Sequence, residues 1–201
     1  GNAITYSVTD SEVAATDVIA LKAKTSATVT LANSVTISGT KTEVVSALGT
    51  AGVVNPGLTN KAKTNVKLTG GSYSVVDINA VETALDTHST TFGTITATVK
   101  EKDTATLENL ARAGAYTITI ERTSEESAVG AGDSVEKVNA AKINVINGKT
   151  TELLTVNTSD HVHGSTSEIK DALEADAALT AGTTKTITGL SNAKITVDTA
   201  G

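Results

Sequence analysis

Short runs of alternating apolar and polar residues recur along the chain, with short helical patterns between them. Alternation with a period of two predicts β-strands that turn one face to solvent, over residues 4–9, 28–32, 35–38, 65–69, 93–99, 115–120, 151–156, 185–188 and 194–198. Residues 11–24 have apolar positions at helical spacing, with Asp10 or Ser11 as the cap. Residues 143–146 are expected to form a further strand, followed by a hairpin turn at Asn147-Gly148.

Two matching segments carry the strongest helix signal, Gly39-Thr-Lys-Thr-Glu-Val-Val-Ser-Ala-Leu48 and Gly164-Ser-Thr-Ser-Glu-Ile-Lys-Asp-Ala-Leu173. In each segment a hydroxyl residue follows the glycine and a glutamate comes three residues later. These pairs are Thr40 with Glu43, and Ser165 with Glu168. The spacing predicts a capping box, in which each side chain satisfies an otherwise unpaired backbone N–H at the helix start.

The order of strand, short capped helix and strand repeats along the chain. Asp103 begins a degenerate third copy of the capped helix, and Tyr73-Ser-Val-Val-Asp77 echoes Tyr6-Ser-Val-Thr-Asp10. The sequence predicts a β-rich α+β fold of repeated modules at 1–71, 72–142 and 143–201, the last one partial, packed separately or as one continuous unit. Because helices join the strands, some strand pairs are expected to be parallel. A β-solenoid interrupted by short helices is the alternative fold.

The apolar residues are almost entirely aliphatic, with one Phe, three Tyr and no Trp, Met or Cys. Side chains of this size suit thin layers such as sheets faced by short helices. The absence of Cys excludes disulfides and thiolate metal sites. The net charge is −6 and no Lys/Arg cluster stands out, which argues against nucleic-acid binding. No apolar run approaches the roughly 20 residues that cross a membrane.

His161 and His163 lie two apart on one face of a predicted strand, a spacing that some metal sites use, with Asp160 adjacent. The spacing implies no third ligand, so the pair is interpreted as polar residues on the solvent face. Ser159-Asp160-His161 contains the letters of a catalytic triad, but neighbours on one strand cannot converge. His88 ends a helical run, where a cation suits the helix C-terminus. Nothing in these residues predicts an enzyme.

Acidic residues recur at strand ends and in a glycine loop, and Asp10, Asp77 and Asp133 are the candidate calcium ligands. No EF-hand spacing is present, and helix capping adequately explains Asp10 and Asp103, so capping is favoured over calcium binding at these residues. Gly130-Ala-Gly132 lacks the third glycine of a dinucleotide loop and is interpreted as a turn. The sequence therefore predicts no cofactor, with calcium as the one alternative ligand.

The segments Tyr-Ser-Val-x-Asp, Thr-Ile-Thr-Ala-Thr-Val, Asp-Thr-Ala-Thr-Leu-x-x-Leu and Tyr-Thr-Ile-Thr-Ile follow one another along the chain. This order resembles repeats in very large bacterial surface proteins, often cyanobacterial or adhesin-like, most clearly over residues 73–120. The resemblance implies an extracellular structural role in assembly or adhesion, and it transfers no functional residue. Related repeats occur in phage virion proteins, so a virion decoration or fibre protein is an alternative.

Together these features predict a non-enzymatic structural protein outside the cell, a self-assembling subunit or repeat domain of a filament, surface layer or adhesin. Because the chain begins with Gly1, we expect that a leader was removed or that the chain is a piece of a longer one. The expected partners are other copies or neighbouring repeats, joined by strand addition at residues 4–9 or 195–197. The second hypothesis is a binding module organised by calcium.

Overall fold

The computed structural model describes residues 3–32, 34–49, 58–59, 64–86, 93–121, 137–157, 161–177 and 186–198. The chain forms two compact units, Gly1–Thr98 and Val99–Gly201. The division into three modules at 1–71, 72–142 and 143–201 stays a prediction beside these two units.

The first unit alternates pairs of strands with helices. Its strands are β1 (Tyr6–Val8), β2 (Glu12–Ala14), β3 (Val29–Leu31), β4 (Thr36–Gly39), β5 (Leu58–Thr59), β6 (Asn65–Tyr73) and β7 (Ile95–Val99), and its helices are α1 (Ala15–Lys24), α2 (Lys41–Leu48) and α3 (Val75–Leu85). One sheet has the order β1-β3-β5, and β2, β4, β6 and β7 follow one another in a second. The pairs β1–β3, β3–β5, β2–β4 and β4–β6 are parallel. Each of these strands therefore pairs with the strand that comes two strands earlier in the sequence.

The second unit repeats this order of elements. Its strands are β8 (Ala115–Thr117), β9 (Thr119–Glu121), β10 (Lys137–Asn139), β11 (Leu154–Asn157), β12 (His161–Gly164), β13 (Ile187–Thr188) and β14 (Lys194–Val197), and its helices are α4 (Thr104–Leu107), α5 (Ala140–Asn147) and α6 (Thr166–Ala177). The sheets β9-β11-β13 and β10-β12-β14 are both parallel throughout. The expected mixture of strands and short helices, with parallel pairs, is confirmed.

Aliphatic side chains in register columns form the core of each unit. Ile37 pairs with Val13 and Val66, and Val162 pairs with Val138 and Ile195. On the face of β11 that points away from the core, Thr155 lies in register between Thr119 of β9 and Thr188 of β13. Columns of threonine suit a half-exposed sheet face, which explains why threonine alternates with Val and Ile along the chain.

The two predicted capping boxes are confirmed. Glu43 Oε2 accepts the backbone N–H of Thr40 at 2.8 Å, and the Glu43 N–H donates to Thr40 Oγ1 at 3.4 Å. The Ser165 N–H donates to Glu168 Oε2 at 2.8 Å, and the Glu168 N–H donates to Ser165 Oγ at 3.3 Å. Asp103 caps α4 as expected, because its carboxylate accepts the Thr106 N–H at 2.7 Å.

Three elements differ from the prediction. Residues 143–146 lie in α5 and not in a strand, and Gly148 ends that helix, so no hairpin turn follows. The segment 73–77 is not a second copy of the strand at 6–8, because Ser74 caps α3. Helix α1 begins at Ala15 after the short strand β2, so neither Asp10 nor Ser11 caps it. In α5 and α3 a capping side chain, Asn139 or Ser74, outweighs the strand preference of the Ile and Val residues that follow.

The same close contacts occur within each unit, at equivalent positions. A Cβ on Gly39 would lie 3.0 Å from Glu43 Oε2 and 3.2 Å from the Ala15 Cβ, and a Cβ on Gly164 would lie at the same distances from Glu168 Oε2 and the Ala140 Cβ. Each residue of the second set follows its counterpart by the same number of positions. The same holds for two threonines: Thr25 Oγ1 accepts the Ala27 N–H at 2.9 Å, and Thr150 Oγ1 accepts the Glu152 N–H at 3.0 Å.

Candidate assembly site at the terminal strands

Strand β14 is the last member of its sheet in the described part of the chain. It pairs on one side with β12, in the register Val162 with Ile195 and Gly164 with Val197. Among the residues that the structure describes, none forms a strand on its other side. An edge strand of this kind presents N–H and C=O groups that a further strand can pair with.

The side chains of Ile195 and Val197 are 40% and 51% exposed, although they lie in the core columns of the sheet. The corresponding positions of the first unit, Val66 and Leu68, are 0% and 6% exposed. There β7 lies beside β6, and α3 packs against α2. Among the residues that the structure describes, no strand takes the place beside β14 that β7 takes beside β6.

A polar contact fixes the end of β14 to the neighbouring strand. His163 Nδ1 lies 3.0 Å from Asp198 Oδ2, and the Asp198 N–H donates to the Gly164 carbonyl at 2.9 Å. The Leu190 N–H, in the short 3-10 helix Leu190–Asn192, donates to the buried Asp176 at 3.1 Å. The two contacts of Asp198 tie the C-terminal end of β14 to β12.

In the first unit, strands β1 and β2 are the first members of their sheets. Glu12 of β2 is exposed and lies 3.5 Å from Lys67 Nζ. Val13 is partly buried, and Ile4, just before β1, is 49% exposed. Both segments predicted to take part in strand addition, 4–9 and 195–197, therefore include or adjoin edge strands.

The structure gives Asp77 a local role at the start of α3. Its N–H donates to Ser74 Oγ, and the Ser74 hydroxyl donates to Asp77 Oδ2 at 2.7 Å. Lys41 Nζ lies 3.3 Å from the other carboxylate oxygen. The Ser74 hydrogen bond, with a smaller contribution from Lys41, holds the Asp77 pKa below its ordinary value. This carboxylate therefore binds the capping residue Ser74 and pairs with Lys41 at the start of α3.

Only some of the other candidate ligands lie within the described residues. Asp10 is exposed between β1 and β2, while Asp133, Asp160, His88 and the glycines 130 and 132 lie outside the described residues. His161 and His163 are both partly buried on β12. Within the described ranges, no three His, Asp or Glu side chains form a group that could hold a metal ion.

Sequence reasoning missed the polar links that join distant segments, among them His163 with Asp198 and Lys41 with Asp77. The spacing Ser74-x-x-Asp77 could have indicated the start of α3, but no local pattern pairs Asp77 with Lys41. No pattern in the sequence pairs residues 35 positions apart, such as His163 and Asp198.

No helix in the described part of the chain is both long enough and apolar enough to cross a membrane. No protein-family model matches the chain, and comparison with curated proteins and with solved structures found no significant match. The case for the candidate site therefore rests on the geometry of the described strands alone.

Proposed function

We propose that this chain is a non-enzymatic structural protein, a subunit or repeat domain that assembles with further copies through its terminal strand edges. The observation that carries the proposal is the open end of the β10-β12-β14 sheet, where Ile195 and Val197 are exposed in core columns. Burying aliphatic side chains contributes about 25 cal/mol for each Å² removed from water. Strand addition would bury these side chains and pair the backbone groups of β14 in one step.

The winding of each unit supports this role. In our proposal each unit is a short solenoid, with two strands and a helix in each turn and parallel strands from turn to turn. In such folds every turn contacts only its neighbours, so a terminal turn can accept one more turn without rearrangement. A filament, a surface layer or an adhesin outside the cell is the setting proposed for it, consistent with the resemblance in the sequence.

A matched pair of substitutions tests the proposal. Ile195→Lys places a charge in the exposed core column of β14, whereas Val145→Lys makes the same kind of change at an equally exposed aliphatic residue of α5. Light scattering and negative-stain microscopy over a concentration series should show assembly for the unchanged chain and for Val145→Lys. Ile195→Lys should stay monomeric, with an unchanged circular dichroism spectrum. A monomer at every concentration for the unchanged chain would refute self-assembly.

A further inference from the structure

The geometry points to a specific pairing, in which β14 of one copy adds in parallel to β2 of a second copy. We place Lys194 opposite Glu12 and Ile195 opposite Val13. This inference rests on the proposed function and adds to it the partner strand, its direction and its register. The contact uses two different surfaces, so repeating it joins copies head to tail and does not form a two-fold symmetric dimer.

The apolar columns set the register. Val138, Val162 and Ile195 form one column in the second unit, and Val13, Ile37 and Val66 form the matching column in the first. Pairing Ile195 with Val13 joins the two columns into one uninterrupted aliphatic row. A shift by one residue would turn Lys194 or Thr196 towards the core, because neighbouring side chains on a strand point to opposite faces.

Charge selects β2 as the partner. The column beside the core row in the second unit ends with Lys194, next to His161, so its next member is favoured when it is acidic. Glu12 occupies that position in β2, at the start of the column Glu12, Thr36 and Asn65. Glu12 would then lie between Lys194 of the neighbouring copy and its own Lys67.

The proposed contact is made by strands and not by the helices. The exposed surface of α6 is polar, since Lys170 Nζ lies 2.7 Å from Glu174 on the same helix face. The hydrogen bond that Lys170 donates to the Glu174 carboxylate raises the pKa of Lys170, so its charge is paired within the helix. Of the described residues in α6 and β14, the large aliphatic side chains that are exposed are Ile195 and Val197, and a second copy paired with β14 would cover them.

Cysteine cross-linking tests the register, because the natural chain contains no cysteine. Chains carrying Glu12→Cys are mixed with chains carrying Lys194→Cys and oxidised. Facing positions on paired strands lie about 4.8 Å apart, within the range of a disulfide. The control mixture uses Thr196→Cys with Glu12→Cys, which are two residues out of register and about 8 Å apart.

The expected result is a covalent heterodimer from the first mixture, at least about tenfold more abundant than from the control. Cross-links between identical variants in preference to the mixed pair would overturn the inference. A disulfide that closes within a single chain carrying both Glu12→Cys and Lys194→Cys would also overturn it. If the unchanged chain forms filaments but the mixed pair does not cross-link, this register fails and the proposed function survives. If neither occurs, both fail.

Charge reversal supplies an independent test. Glu12→Lys and Lys194→Glu should each assemble poorly alone, because like charges then meet, with the critical concentration raised at least about tenfold. An equimolar mixture of the two variants should assemble again as an alternating copolymer, since opposite charges face each other at both ends. Lys67→Glu is the control, because it removes the ion pair within the chain and leaves the β14 side unchanged. No recovery in the mixture would overturn the pairing.

Discussion

At the scale of single residues, the backbone around Gly189 leaves no room for a side chain. Its φ is +106°, and a Cβ there would lie 1.9 Å from the Val156 carbonyl oxygen. Gly189 follows β13 and precedes the 3-10 helix that leads to β14. The position of the terminal strand therefore depends on a close backbone approach that only glycine permits.

We predict that Gly189→Ala lowers the free energy of unfolding by more than about 3 kcal/mol. Gly71→Ala is the matched control, because Gly71 also has a positive φ, of +152°, but no atom lies within 4 Å of its Cβ position. The control should cost only the backbone term, about 1–2 kcal/mol. Urea unfolding measures both, and equal losses for the two variants would contradict the steric argument.

The ionisation of Asp77 makes the free energy of unfolding depend on pH. Its folded pKa is held below the ordinary value of 3.8 by the Ser74 hydroxyl, assisted by Lys41. A carboxylate with a lowered folded pKa contributes stability above the unfolded pKa, and that contribution is lost as the pH falls through the folded pKa. The Asp77 side chain is 38% exposed, so solvent screening keeps the contribution small.

We predict that Asp77→Asn lowers the unfolding free energy at pH 7 by about 0.5 kcal/mol and flattens its decline below about pH 4. Urea titrations at a series of pH values measure both effects. Asp10→Asn, at an exposed carboxylate, is the control. A decline as steep as that of the unchanged chain would show that Asp77 is not the titrating group.

At the scale of secondary-structure elements, the two capping boxes begin equivalent helices, α2 and α6. We predict that Thr40→Ala and Ser165→Ala each cost about 1 kcal/mol of stability, because each leaves a backbone N–H at the helix start without its acceptor. Ser165→Thr and Thr40→Ser keep the hydroxyl and should cost only a few tenths of a kcal/mol. Melting temperatures of the four variants test this, and an unaffected alanine variant would refute the role of that cap.

The same scale shows how much of the fold the sequence could reveal. The caps at Thr40, Ser165 and Asp103 were predictable because donor and acceptor lie within three residues. The sequence predicts a strand at residues 143–146 of α5 because Ile and Val favour strands, and this prediction misses the cap Asn139, whose side chain accepts the Ala141 N–H. Which strands pair was beyond local reasoning, because partners such as Val162 and Ile195 are far apart in sequence.

At the scale of the whole molecule, the sequence indicated residues 195–197 as a pairing strand from their position alone. The structure adds the physical reason, since core-facing side chains lie uncovered at the last strand of the sheet. The sequence could not supply this, because the exposure of Ile195 depends on which elements lie beside β14. Assembly itself stays a prediction until the substitutions at Ile195 and Val145 are compared.

The division into two units predicts separate responses to damage in each core. Ile78 in α3 and Ile143 in α5 are both fully buried, one in each unit, so the same substitution removes the same atoms from two cores. We predict that Ile78→Ala and Ile143→Ala each cost about 2–5 kcal/mol. Hydrogen exchange followed by mass spectrometry should show faster exchange mainly in residues 3–98 for Ile78→Ala and mainly in residues 99–198 for Ile143→Ala. Equal acceleration across the whole chain for either variant would mean that the two units unfold as one, and that the compact division does not correspond to separate cooperative units.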